Sequence, residues 1–136
     1  MKQLQSVDPT FVYQVWEQVK HYFKSDNNPR ITDTTIDGFK MSLLSKQFSL
    51  FVVVEDEKII GAFIFAINST LEHKTLFIVA FGGKGVANKE VAAQVEHWAK
   101  LQGATRIQAY AKDSQARLFR IAMGLEKYTN VIEKLI

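Results

Sequence analysis

Three glycines in four residues, Gly82-Gly83-Lys84-Gly85, stand between an apolar run and an amphipathic pattern. Glycine adopts positive φ at no steric cost and lets another group approach the backbone closely. Leu76-Phe77-Ile78-Val79-Ala80-Phe81, just before, is short and wholly apolar, the pattern of a strand buried on both faces. Just after, Val91, Val95, Trp98 and Ala99 recur at helical spacing, with Lys89, Glu90, Glu96 and Lys100 at polar positions. Gly103 is the predicted C′ residue of that helix. A strand that passes through glycines into a helix N-terminus gathers free backbone N–H groups around a concavity. The helix dipole adds partial positive charge, so the chemistry on offer is anion binding, phosphate above all.

Two phosphate motifs fail on spacing. A Walker loop needs Ser or Thr after Gly-Lys, and Gly85 follows Lys84. A dinucleotide fingerprint wants a third glycine where Asn88 stands. Gly82-Gly83-Lys84-Gly85-Val86-Ala87 instead resembles the acyl-CoA motif of the GNAT acyltransferases, roughly [R/Q]-[G/x]-x-G-[I/V]-[G/A], in the variant form of small phage-encoded members. Gly82 departs from it, taking the Arg/Gln position. The resemblance implies that the turn, Gly83, Lys84, Gly85, Val86, Ala87 and Asn88, holds the pyrophosphate of acetyl-CoA. It also implies that a strand amide near Val79 or Ala80 polarises the thioester carbonyl. Without that family, the same glycines would serve a tight strand–helix turn with no ligand.

The surrounding elements must position this turn. Lys2 to Val7 reads as an edge strand, and Asp8-Pro9 as N-cap and N1 of a helix with Val12, Val15, Trp16, Val19 and Phe23 inward. Residues 25–29 form a loop. Thr32 or Asp33 caps a second helix with Ile36, Phe39, Leu43 and Leu44 inward. Phe48–Val54 and Ile59–Ile67 form an antiparallel hairpin about the polar turn Glu55-Asp56-Glu57-Lys58. Thr75–Phe81 is the third strand of the meander. Thr105–Ala111 follows the long helix and must run parallel to it. Asp113-Ser114 caps a short helix with Ala116, Phe119 and Met123 on one face. Gly124 ends it, and Leu125–Ile136 is a final strand. The expected architecture is one α/β (α+β) domain over 1–136 with a mixed sheet, in the order β-α-α-β-β-β-α-β-α-β. That order resembles the GNAT fold along nearly the whole chain.

Composition narrows the classes. The 136 residues are 47% apolar with two prolines and seven glycines, enough for a core and far from a disordered composition. No cysteine is present, so disulfides and thiolate chemistry are excluded. No apolar run approaches the roughly 20 residues that span a bilayer. The first residues lack the apolar core of a signal peptide, and a cytoplasmic protein is expected. From Lys84 onward nine Lys/Arg face five Asp/Glu; before it, eight face nine. The basic excess lies in the half that carries the turn, which suits an anionic ligand. No Lys/Arg cluster tracks one face with the aromatics, so nucleic acid is a poor fit.

A second stretch, Ala116-Arg117-Leu118-Phe119-Arg120-Ile121-Ala122-Met123-Gly124-Leu125, resembles the family's A-x-x-L-Y-x-x-x-G-F, with Ser114 near its usual Asn and implied in cofactor binding. Phe119 stands where the family often has the Tyr that protonates the departing thiolate. Tyr110 and Tyr128 are the candidate replacements. No carboxylate lies in Leu76–Phe81 to serve as a base; Asp37, Glu72 and His73 are the weighed alternatives, and His97 reads as surface. The histidines show no metal-ligand spacing. The expected function is acyl-CoA-dependent transfer, of acetyl from acetyl-CoA, to an unidentified amine. The alternative is a non-catalytic binding or assembly protein of the same fold, possibly in a phage particle.

Overall fold

A computed structural model describes residues 1–23, 36–84, 86–111, 113–128 and 134. Strand β1, Gln3–Val7, is followed by a 3₁₀ turn at Pro9–Phe11 that opens directly into helix α1, Val12–Val19. Asp8 caps that turn, its carboxylate accepting from the Thr10 amide with Pro9 behind it. A second 3₁₀ turn, Lys20–Phe23, extends α1. Helix α2, Ile36–Leu44, precedes a meander of β2, Ser49–Glu55, β3, Lys58–Ser69, and β4, Lys74–Gly83. Helix α3, Lys89–Leu101, then leads to β5, Arg106–Ala109, and helix α4, Asp113–Met123. The sheet runs β1-β2-β3-β4-β5, with every pair antiparallel except β4 and β5, which are parallel.

Helices cover both faces, which is why β2 and β3 read as unbroken apolar runs. Leu50, Val52, Ala62 and Ile64 face α1 and α2, where Trp16, Val19, Phe23, Phe39 and Leu43 are buried. Phe51, Val53, Phe63 and Phe65 face α3 and α4. The β2–β3 turn places Asp56 and Glu57 both at positive φ, the backbone of a tight two-residue hairpin. Gly103, at φ 79°, closes α3 with Gly103 N–H donating to Lys100 and Ala104 N–H to Ala99.

Several expectations change. Leu44 and Ala116 are exposed rather than inward, because Phe39 and Leu43 on α2, and Phe119 on α4, already complete the buried stripes. Leu125–Tyr128 form no strand. The Leu125 amide is committed to the Phe119 carbonyl, closing α4 around Gly124 at φ 71°. The remainder of the expected last strand, 129–133 and 135–136, lies outside the described residues, as do the 25–29 loop and the Thr32/Asp33 cap. Among the described residues no helix is long and apolar enough to cross a membrane.

Candidate active site

The sheet changes character within β4. Its ladder to β5 ends at Ile78↔Ala109. At the next residue the pairing to β3 slips: Ile64 opposes Ala80 and Phe65 opposes Ile78, so Val79 is an extra residue, a β-bulge. The bulge resets the alternation. Leu76 and Ile78 face α3, whereas buried Ala80 and half-buried Val79 both turn towards α1. From Val79 onward β4 pairs, among the described residues, with β3 alone, as a splay between β4 and β5 requires.

The glycine run divides between strand and turn. Gly82 and Gly83 are the last residues of β4, paired with Ala62 and Gly61, and not the opening of the turn. Packing explains them. A Cβ on Gly82 would lie within 3.0 Å of the Tyr22 main chain. One on Gly83, at φ 106°, would strike Gly61 and the Ile60 carbonyl. One on Gly61 would meet the Val86 side chain. An Arg or Gln at position 82 has no room. An isolated glycine in an apolar strand, as Gly61 is, signals this kind of close approach, and Gly61 and Tyr22 were the residues that sequence reasoning passed over.

The turn proper contains exposed Lys84, buried Val86 and half-buried Ala87 and Asn88, with Gly85 outside the described residues. Asn88 is the N-cap of α3: its Oδ1 accepts from the amides of Glu90 at 2.8 Å and Val91 at 3.3 Å. Two helix-tip donors are thereby used internally. Glu90 is held towards β1, where its carboxylate accepts from the Lys2 amide. Val86 and Ala87 meet Phe63, Phe81, Gln115, Leu118 and Phe119 around a cleft of about 20 Å³. The turn and α4 are thus brought together.

Phe119, 5% exposed, sits in that cleft with its ring edge-on to Phe81 at 5.0 Å. Ser114 is in the first turn of α4, which already includes Asp113, so the pair lies inside the helix and not before it. Tyr110, 41% exposed, directly follows β5, beside the point where β4 and β5 part, and packs edge-on against Phe77 at 5.0 Å. Tyr128, 76% exposed, lies over the Arg106 guanidinium, whose Nε donates to Thr75 at the opening of β4. At about 3.3 Å per strand residue, Thr75 and Gly82 are roughly 20 Å apart. The structure therefore brings Tyr110 to the splay and leaves Tyr128 at the far end.

The remaining candidates are dispersed. Asp37 and Glu72 are exposed, His73 bonds Thr105 through Nδ1 at 3.0 Å, and His97 is on the solvent side of α3. Shifted carboxylates, Asp8 and Glu17, are surface groups of the α1 segment, lowered by hydrogen bonds from Thr10 and Lys20 respectively. Among the described residues no cluster of His, Cys, Asp or Glu could hold a metal ion. A larger groove of about 460 Å³ runs along α3 beside β5 and the end of α4, with Lys89 at one end and Lys100 and Arg106 near the other.

No protein-family model and no curated protein matches the sequence. Solved structures match over nearly its whole length. A GNAT family acetyltransferase of Staphylococcus aureus shares 18% identity, covering 99% of this chain and 98% of that one, at a TM-score of 0.65. The aminoglycoside N-acetyltransferase AAC(6')-Iy, solved with a CoA bisubstrate analogue, shares 16% over 100% and 98%, at 0.68. An aminoglycoside acetyltransferase from an uncultured soil metagenomic sample shares 13% over 99% and 95%, at 0.70. Likeness at these identities is likeness of fold.

Proposed function

We propose that this chain, which has the fold of the GNAT acetyltransferases, is an acyl-CoA-dependent N-acyltransferase that moves acetyl from acetyl-CoA to an amine. The observation that carries the reading is the break in β4. The strand loses its β5 neighbour at the Val79 bulge and runs on through glycines to a capped helix, leaving an apolar cleft between turn and α4. Open α/β sheets take ligands beyond the carboxyl ends of their strands, where neighbouring strands part.

The residues fit the donor. Backbone amides of Gly83, Lys84, Gly85, Val86, Ala87 and Asn88 would hold the pyrophosphate, with the α3 dipole and Lys84 favouring its charge. The Asn88 side chain serves the helix, so the contribution assigned to this residue is its amide. Ser114, at the start of α4, would meet the cofactor from the other side of the cleft. An amide of Val79 or Ala80 would polarise the carbonyl. Bound there, acetyl-CoA would supply an activated thioester: the nitrogen–carbon bond forms as the carbon–sulfur bond breaks, the amine nitrogen gives up one proton to solvent, and the departing thiolate takes one. Phe119 has no proton to give, and Tyr110, just after β5 beside the splay, is the candidate donor. Held in place, amine and acyl group gain rate chiefly from positioning. An acyl-CoA reaction fits the cytoplasm, and the form of the glycine run fits a phage-encoded origin.

Calorimetry with CoA is the first test, with a Kd expected in the range of about 1 μM to 1 mM usual for enzyme substrates. Acetyl transfer to a panel of amines is the second. Binding without turnover would favour a degenerate enzyme. Absence of both would leave a binding or assembly module of the same fold.

A further inference from the structure

Beyond the bulge, β4 has a single strand neighbour among the described residues, and a two-stranded ribbon is marginal by itself. The element that packs on it from the α1 face is the 3₁₀ turn Lys20–Phe23. Its contact with the glycines is made by Tyr22. The Tyr22 main chain lies against Gly82, so closely that no side chain could stand there, and ring carbon Cε1 lies 3.0 Å from where a Gly83 Cβ would be. The Tyr22 hydroxyl donates to the Ile59 carbonyl at 3.4 Å, on β3 two residues from Gly61. Gly61 in turn backs Gly83 and Val86. The next residue, Phe23, is buried between Trp16, stacked at 5.8 Å, and Phe39, edge-on at 6.2 Å, so the turn is anchored in the α1–α2 core.

We propose that Tyr22 is a positioning residue for the cofactor turn: lying over Gly82 and Gly83 from the α1 face and bonded to β3 through its hydroxyl, it clamps the end of β4 onto β3 and thereby fixes where the turn amides point. This rests on the reading of the turn as a CoA site. The missing Arg/Gln at position 82 becomes intelligible, because a packed main chain occupies that space. The clamp also connects the two faces of the sheet, since it extends the helix on the α1 face while holding the strand that leads to α3.

The test compares Tyr22→Ala, Tyr22→Phe and a control, Phe23→Leu, whose side chain faces the core and not the glycines. Tyr22→Ala is expected to raise the Kd for CoA, and the KM for acetyl-CoA, about tenfold, a modest case of what a displaced site loses, with kcat at saturating donor little changed. Tyr22→Phe, which keeps the ring, should return to within about twofold of the parent. Phe23→Leu should lower Tm without moving the CoA affinity. Amide hydrogen exchange gives a readout independent of CoA. Gly82–Lys84 should exchange faster in Tyr22→Ala while Thr75–Ile78 stay as protected as in the parent. Parental CoA affinity in a folded Tyr22→Ala, or an equal loss in Phe23→Leu, would overturn the clamp. Should the parent bind no CoA, the functional reading falls. Exchange then decides the clamp alone: faster exchange confined to Gly82–Lys84 upholds it, and unchanged exchange overturns it. If Tyr22→Ala does not fold, Tyr22→Leu takes its place in every arm, with the same outcomes expected.

Discussion

The two ends of β4 are built by opposite means. At its start, neighbours are tied by polar side chains. Thr75, 3% exposed, accepts from Arg106 Nε at 2.7 Å. The Thr105 amide donates to the Lys74 carbonyl at 2.7 Å, and the Lys74 amide to Thr105 Oγ1 at 3.2 Å. Four residues of parallel ladder follow. At its finish there is no β5, the register is bulged, and glycines replace side chains so that Tyr22 can lie on the backbone. A strand stitched on both edges has no backbone to offer a ligand. One that has lost a neighbour has, and its exposed edge must be stiffened from elsewhere. The candidate site lies at the second end, where among the described residues β4 has no β5 neighbour and is packed by a distant segment instead.

The sharpest way to break this comparison is to remove one hydroxyl from each end. Tyr110→Phe should lower kcat about 10²-fold, the lower range for a lost general acid, with little effect on the KM for acetyl-CoA. Tyr128→Phe, over Arg106, should leave the rate unchanged. Equal effects from the two, or none from either in an active parent, would remove Tyr110 from the mechanism.

Backbone packing comes next. Gly82→Ala forces a methyl into the Tyr22 main chain and should cost about 1–3 kcal/mol in denaturant unfolding, the usual range for overpacking. It should weaken CoA binding as well. Thr75→Val acts at the stitched end. It removes the acceptor of a charged donor and should cost about 1 kcal/mol, while CoA affinity stays at the parental value. A loss of CoA binding in Thr75→Val would show that the ends are not independent.

The smallest effect lies at Asp8, the cap of the 3₁₀ turn that opens into α1. The Thr10 amide and hydroxyl hold the Asp8 carboxyl below its ordinary value of 3.8. A lowered folded-state pKa contributes stability above 3.8, and that contribution is lost as pH falls through the folded value. Melting of the parent and of Asp8→Ala should therefore differ slightly at pH 6 and converge below pH 3.8. A gap that persists in acid would assign the cap to something other than the ionised carboxylate.

Much of this molecule was legible in one dimension. The element order as far as α4, the parallel crossover and the identities of Trp16, Phe39, Val91 and Val95 as core follow from runs, periods and turn residues. Those signals arise from neighbours in the chain. The cap at Asp8 and the closure at Gly103 are local in the same way, and the structure repeats them. The expected inward Leu44 and Ala116 failed because a helix stripe is only as wide as its neighbour allows.

What the sequence by itself determined was a strand, a glycine turn and a helix in succession, and hence a place where backbone amides and positive dipole could meet an anion. Tertiary structure alone decided which glycines belong to that turn. Gly82 and Gly83 read as turn residues because glycine permits turns; they are strand residues paired with β3, Gly82 lying against the main chain of Tyr22, sixty positions earlier, and Gly83 against Gly61 and the Ile60 carbonyl. It alone separated Tyr110 from Tyr128, which as letters are equivalent. And it alone placed the bulge at Val79, since an extra residue is defined by the partner strand it fails to match. Local propensity is carried by adjacent residues, whereas close approach and register are relations between distant ones, and those exist only once the chain has folded.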